Sequence, residues 1–176
     1  SYESMLPAIS QEKLGAGSAG FSYLLAGVGA GALVSSVFLA GIRNESTRGR
    51  VFLVFALTSG LGPIALALST NRELSIAATV FMGVNQAGFM TITHAIIQSI
   101  VPDEIRGRIS GVYSVHVGGS MALANLTNGS LSDLLNAPLV MAAGGIIFIV
   151  LIASSVGLSP LRRIYFPRAA VTHSLA

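Results

Sequence analysis

The sequence predicts an all-α fold, an integral membrane helical bundle of five full transmembrane helices plus a helical stub. Three observations carry that prediction. The 176 residues are 52% hydrophobic and 10% charged with a mean hydropathy of +0.75, whereas soluble domains carry about 25% charge. Five segments contain no Asp, Glu, Lys or Arg: Phe21–Ile42, Val51–Ser69, Leu74–Val101, Ile109–Leu131 and Leu139–Leu158. Each is longer than the ~18 apolar residues that cross a bilayer, and backbone in hydrocarbon must satisfy itself, so the runs are helices. Finally, the basic residues between these runs alternate sides, eight against two.

Before the first span, Met5–Ile9 is apolar but too short to cross, and it contains Pro7. It reads as the tail of a helix. Ser10–Gly15 reads as a polar turn, with Gly15, Gly17 and Gly20 breaking any helix there. No signal peptide is expected, because Ser1-Tyr2-Glu3-Ser4 is not a basic segment ahead of an apolar core. The chain reads as beginning inside a larger protein.

Phe21–Ile42 carries Gly27 and Gly31 at small-xxx-small spacing, which lets helices approach closely in lipid. A dinucleotide-binding loop would need a preceding strand, and no strand pattern is present. Arg43–Arg50 is a basic turn. Val51–Ser69 has Gly60, Gly62 and Pro63 at its middle, and Pro63 removes a backbone donor, so a kink is predicted. Asn71–Glu73 is the next turn.

Leu74–Val101 is the longest span and the most polar inside, with Asn85, Gln86, Thr91, Thr93, His94 and Gln98. Such groups avoid lipid and should face protein or a wet cavity, Gln86, Met90 and Thr93 sharing one helical face. The turn Pro102–Arg108 packs four charges into seven residues. Pro102 ends the preceding helix, and Asp103 and Glu104 suit the first turn of the next. Ile109–Leu131 carries His116, Asn125, Thr127 and Asn128. Leu139–Leu158 is uniformly apolar and should face mainly lipid. The tail, residues 169–176, reads as disordered.

Successive turns must alternate sides. One side receives Arg43, Arg48, Arg50, Arg106, Arg108, Arg162, Arg163 and Arg168, the other Lys13 and Arg72. The positive-inside rule puts the first set, and the C-terminus, in the cytoplasm.

Several function classes are excluded by composition. With no cysteine there is no disulfide, zinc finger or thiol catalysis. The arginines sit in short turns and form no continuous stripe, which argues against nucleic acid as a partner. No catalytic constellation appears, His94 and His116 are not at metal-ligand spacing, and no cofactor or metal is expected. The chain is read as a non-enzyme. Asn85, Gln86, His94 and His116 are the substrate-path candidates. A membrane histidine is more often packed and hydrogen-bonded than a proton carrier, although its titration range suits proton coupling. Arg48, Arg50, Asp103, Glu104, Arg106 and Arg108 are candidate gating or cytoplasmic-loop charges.

The loops carry a resemblance. Val101-Pro-Asp-Glu-Ile-Arg-Gly-Arg-Ile-Ser-Gly-Val-Tyr113 resembles the cytoplasmic loop between helices ten and eleven of major facilitator superfamily transporters, in particular bacterial exporters of the transmembrane secretion effector and enterobactin-exporter type. Leu6-Pro7 with Leu14-Gly15 resembles the end of their helix seven and its outer loop. Gly41–Arg50 resembles the loop between helices eight and nine, with Arg48-Gly49-Arg50 fitting its end, but Asn44 or Glu45 stands where Asp is usual. Gly129–Asp133 followed by Ala137-Pro138 resembles the turn between helices eleven and twelve. The resemblance implies that residues 1–168 are the C-terminal half of a twelve-helix fold, normally two inverted three-helix repeats. Its partners would be the N-terminal half, the lipid bilayer and a small-molecule substrate, and its location the bacterial cytoplasmic (inner) membrane.

The function so implied is secondary active transport by alternating access, with export of a small, fairly apolar solute such as a drug or siderophore. The alternative is a membrane-embedded structural or assembly subunit without its own transport path.

Overall fold

The computed structural model describes residues 2–15, 17–42 and 45–157. Among these, every regular element is helical. The predicted ends at Arg43, Leu158, Arg162, Arg163 and Arg168 and the 169–176 tail lie outside the described residues.

The first element is helical for longer than the sequence suggested. A 3₁₀ turn at Glu3–Met5 runs into α1 (Leu6–Ile9) and then a π-helical turn at Ser10–Leu14. Ser10–Leu14 is thus helix and not a polar turn, and the stop comes at Gly15 with φ 56°. Gly17 also takes a positive φ. These two positions favour glycine because a Cβ is disfavoured in left-handed backbone. Gly20, expected to break a helix, lies buried inside α2 (Gly17–Ala40).

The second span divides into α3 (Glu45–Ser59) and α4 (Leu61–Leu68) at Gly60. Pro63 has no N–H for the Ser59 carbonyl, so the helix resets there. This is the predicted kink, placed three residues before the proline. Next come α5 (Arg72–Ile100), α6 (Asp103–Leu134) and α7 (Ala137–Val156). Asn71 caps α5 by accepting from the Leu74 N–H at 2.8 Å, and Asn136 caps α7 by accepting from Leu139 at 2.8 Å. Such caps are worth about 0.5–2 kcal/mol each. Ile100 ends α5 and Pro102 stands immediately before α6, as its ring requires.

Among the described residues, four stretches are both long and apolar enough to cross a membrane: Gly17–Ala40, Thr47–Leu68, Arg72–Ile100 and Ala137–Val156. The predicted fourth span, Ile109–Leu131, now within α6, has the length, 32 residues for the helix or ~48 Å at 1.5 Å per residue. It lacks the hydropathy, because serines, asparagines and His116 interrupt its apolar residues.

Two glycine crossings hold the bundle. At the first, α2 lies against α5 and runs parallel to it. A Cβ on Gly31 would meet the Val80 carbonyl and, at 2.7 Å, the Val84 nitrogen. One on Gly83 would meet the Val28 carbonyl, and one on Gly27 the Thr79 hydroxyl. Gly27 and Gly31 thus do what their spacing predicts. At the second crossing, antiparallel α4 and α7 meet where Gly60 faces Gly145, and a Cβ on Gly145 would lie 3.0 Å from Ile64. Helix α7 consequently buries Ala137, Val140, Met141 and Gly145, while Leu139, Ile146, Ile147, Val150 and Leu151 point outward. The outward face is what the sequence led one to expect. The helix with no buried residue, however, is α6.

Candidate functional site

Because α6 stands off from the other helices, a cavity of about 670 Å³ opens between it and the α4, α5 and α7 helices, with the N-terminal stub at one edge. The stub contributes Tyr2 and Met5. From α5 come Met82, Gln86, Phe89 and Met90, spaced three and four apart as one helical face demands. Helix α6 turns Tyr113, His116, Val117, Ser120 and Asn128 inward, and α7 adds Met141 and Phe148. Val112, Val115, Leu123 and Leu126 of α6 are exposed. None of the described lining residues is Asp, Glu, Lys or Arg. The lining residues of α5 and α6 sit in the central parts of their helices, and those of α7 run from its first turns at Val140 and Met141 to Phe148 near its middle.

One wall is aromatic and ordered by its own contacts. Phe89 stacks on Phe52 of α3 at 5.0 Å between centroids and meets Phe148 of α7 edge-on at 6.2 Å. Pairs at these distances add about 0.5–1.5 kcal/mol beyond area burial.

The four substrate-path candidates divide. Gln86 and His116 line the cavity. The Tyr2 hydroxyl donates to Gln86 Oε1, joining stub to α5. Asn85, one residue away, faces elsewhere. It is 2% exposed, its Nδ2 donates to the Phe81 carbonyl at 2.8 Å, and its Oδ1 lies 2.5 Å from the Thr58 hydroxyl of α3. Asn85 therefore joins α3 to α5 inside the bundle. His94 is half-buried and packs edge-on against Tyr113, 5.0 Å between centroids, so it touches the cavity wall from behind. Thr93, expected on the face of Gln86, is not among the lining residues and donates to the Phe89 carbonyl.

The loop charges lie at the helix ends. Arg106 pairs with Asp103 within the first turn of α6, and its Nη2 donates to the Val101 carbonyl at 3.2 Å. Glu104, Arg108 and Arg50 are exposed. Arg48 is half-buried, and its Nε donates to the Ile42 carbonyl at 3.3 Å. At the opposite end of the bundle, Arg72 sits over the Tyr23 ring at 3.9 Å, tying the start of α5 to the start of α2. This separation of Arg72 from Arg48 and Arg106 is the one the alternation of bases requires.

Sequence reasoning missed Tyr2, Phe148 and most of the methionines. Phe89 was within reach, because it lies three residues from Gln86 on the same face. Tyr2 and Phe148 join the site only through helix packing, which no local pattern encodes.

The comparisons agree with the architecture. A family model described as transmembrane secretion effector matches residues 1–165. No curated protein and no solved structure matches the chain. With apolar helices long enough to span a bilayer and a family match over most of its length, the chain is an integral membrane protein that belongs to the transmembrane secretion effector family of major facilitator transporters.

Proposed function

We propose that this chain forms the C-terminal half of a secondary active exporter, and that the cavity between α5, α6 and α7 is its share of the solute path. The observation that carries this reading is the cavity itself: one uncharged chamber of about 670 Å³ beside a helix with no buried residue. That volume falls in the ~300–1,000 Å³ range of small-molecule sites. Its position along the central parts of α5 and α6 is where secondary transporters bind solute. An uncharged lining suits a fairly apolar solute, a drug or a siderophore in its less polar form, because an ion there would lose hydration without a partner. The family match supports transport, and the loop Val101–Tyr113 supports the enterobactin-exporter branch.

In this reading α6 moves against the other helices as the two halves rock between inward- and outward-open states. His116 is the imidazole on the cavity wall through which a proton gradient would couple. The C-terminus lies in the cytoplasm of a bacterial cell, on the side of Arg48 and Arg106. No chemistry is performed on the solute.

The test is transport by the full-length protein in proteoliposomes, with a panel of neutral antibiotics and siderophores and an imposed proton gradient. Accumulation that requires the protein, and that weakens in Gln86→Leu and His116→Ala, is the expected outcome. A panel that moves equally in empty vesicles and in vesicles with the protein refutes the reading. Cysteines placed at Thr47 and Asn71 should label from opposite sides of the membrane, and labelling from one side refutes the orientation.

A further inference from the structure

All five methionines of the chain, Met5, Met82, Met90, Met121 and Met141, line the same cavity. They come from four separate parts of the chain: the stub, α5, α6 and α7. The cavity takes 21 of the 176 residues, so the methionines are concentrated there well beyond an even spread. We propose that this thioether lining is a recognition surface for uncharged ligands carrying an aromatic ring, a proposal that rests on reading the cavity as the solute site.

The chemistry has three parts. Methionine is unbranched and polarisable, re-shapes itself around differently shaped ligands and makes favourable sulfur–aromatic contacts. Its partners here are layered. Met5, Met82 and Met141 are 4%, 2% and 1% exposed and form a packed floor, whereas Met90 on α5 and Met121 on α6 are more open and face the space from opposite sides. The Phe89–Phe148 wall, held by Phe52, supplies a ring-stacking face that does not have to be ordered when the ligand arrives. Charge is the third part. Among the described residues no formal charge lines the cavity, so a fixed-charge ligand gains nothing there to offset its lost hydration. Gln86, Ser120 and His116 leave room for one or two hydrogen bonds to a neutral polar group.

The test uses the purified full-length transporter and three probes: N-phenyl-1-naphthylamine, neutral and aromatic; ethidium, aromatic with a fixed positive charge; and silver ion, which thioethers also bind. The expected result is saturable binding of the naphthylamine, no competition from ethidium or silver, and affinity weakened about three- to tenfold in Met90→Leu and in Met121→Leu. Leucine keeps the volume and apolarity, so these variants should unfold at the wild-type temperature. If one of them fails to accumulate, the other carries the test. Wild-type affinity retained in both leucine variants, or ethidium binding as tightly as the naphthylamine, overturns the proposal. Methionine-dependent displacement by silver overturns it in favour of a soft-metal site. Binding with the predicted methionine dependence but no uptake into proteoliposomes would leave this inference standing and remove the transport reading. Uptake that ignores the methionines would do the reverse.

Discussion

Where α2 crosses α5, glycine brings backbone against backbone. Along α6, no residue is buried and none of the glycines Gly107, Gly111, Gly118, Gly119 and Gly129 has a neighbour within reach of a Cβ. Both helices are glycine-rich and would look alike to a count of small residues. The difference is in what the glycines touch. The α2–α5 pair is a fixed strut, because helices packed backbone to backbone cannot slide without losing contact along a whole face. Helix α6 has no such commitment within the described residues, and its inward face lines the cavity. Rigid strut and free-standing wall are the two parts that the proposed rocking motion would require.

Breaking the strut should give the largest effect. Gly83→Leu and Gly31→Leu drive a side chain into the Val28 and Val80 carbonyls, which cannot rotate away as a side chain would. A loss of about 3 kcal/mol or more, the severe end of overpacking, is expected. It should appear as a sharply lowered unfolding temperature or as failure to accumulate. Gly118→Ala and Gly119→Ala on α6 meet open space and should be neutral or stabilising by up to ~1 kcal/mol from helix propensity. Similar losses in both sets would erase the contrast.

Adjacent residues on α5 sharpen it. Asn85 belongs to the strut side and Gln86 to the cavity side, so their substitutions should separate stability from transport. Asn85→Leu removes the contacts to Thr58 and to the Phe81 carbonyl and should cost about 1 kcal/mol in thermal unfolding, with solute affinity kept. Gln86→Leu removes the bond from Tyr2, which ties only the stub to α5, so it should cost no more than about 1 kcal/mol in unfolding while changing solute affinity. The reverse pattern would mean that the cavity is not the solute path.

How much of this was legible depended on the range over which each feature acts. Helix ends were readable where a residue imposes its own local rule: Pro102 before α6, the kink demanded by Pro63, and the Gly27/Gly31 face. Gly15 stopped the stub as glycine can, but the polar run Ser10–Leu14 proved helical: Gln11 and Glu12 lie on an exposed side, and the buried Ser10 hydroxyl donates to the Gly17 carbonyl. Polar residues in the third span were expected to face protein or a cavity, and Asn85 and Gln86 went opposite ways, Asn85 into the bundle and Gln86 to the cavity, while Thr91 and Gln98 are exposed. A 100° step per residue sends neighbours to different faces, and only knowledge of which helix lies on each side decides between bundle and cavity. The converging methionines were invisible for a related reason, since their four chain segments meet only through packing. Uniform hydropathy made α7 the expected lipid-facing helix, and one face of it is exposed; Gly145 buries the other against Gly60.

The smallest predicted effect concerns the junction of α5 and α6, and it comes from the geometry of Arg106. The sequence marked Asp103, Glu104, Arg106 and Arg108 as candidate gating charges, a role that ion pairs made in one transport state and broken in the other would fill. Arg106 instead pairs with Asp103 on its own helix, three residues back, so the pair travels with α6 whichever way α6 moves. Among the described residues, the bond from Arg106 Nη2 to the Val101 carbonyl is what carries Arg106 from α6 to the end of α5. Both partners of the ion pair are open to solvent, 44% and 83% exposed for Arg106 and Asp103, and exposed pairs are worth about 0–1 kcal/mol. Arg106→Ala in the full-length protein should therefore shift the inward–outward ratio by no more than about fivefold, with solute affinity unchanged in each state. Asp103→Asn should do less, because it leaves the bond to Val101 in place. Distance measurements between spin labels on the two ends of the bundle give the ratio, and equilibrium binding gives the affinity. A larger shift would mean that Arg106 also bonds to a segment beyond α5 and α6, whereas a collapse of affinity in both states would move Arg106 from the hinge to the solute site.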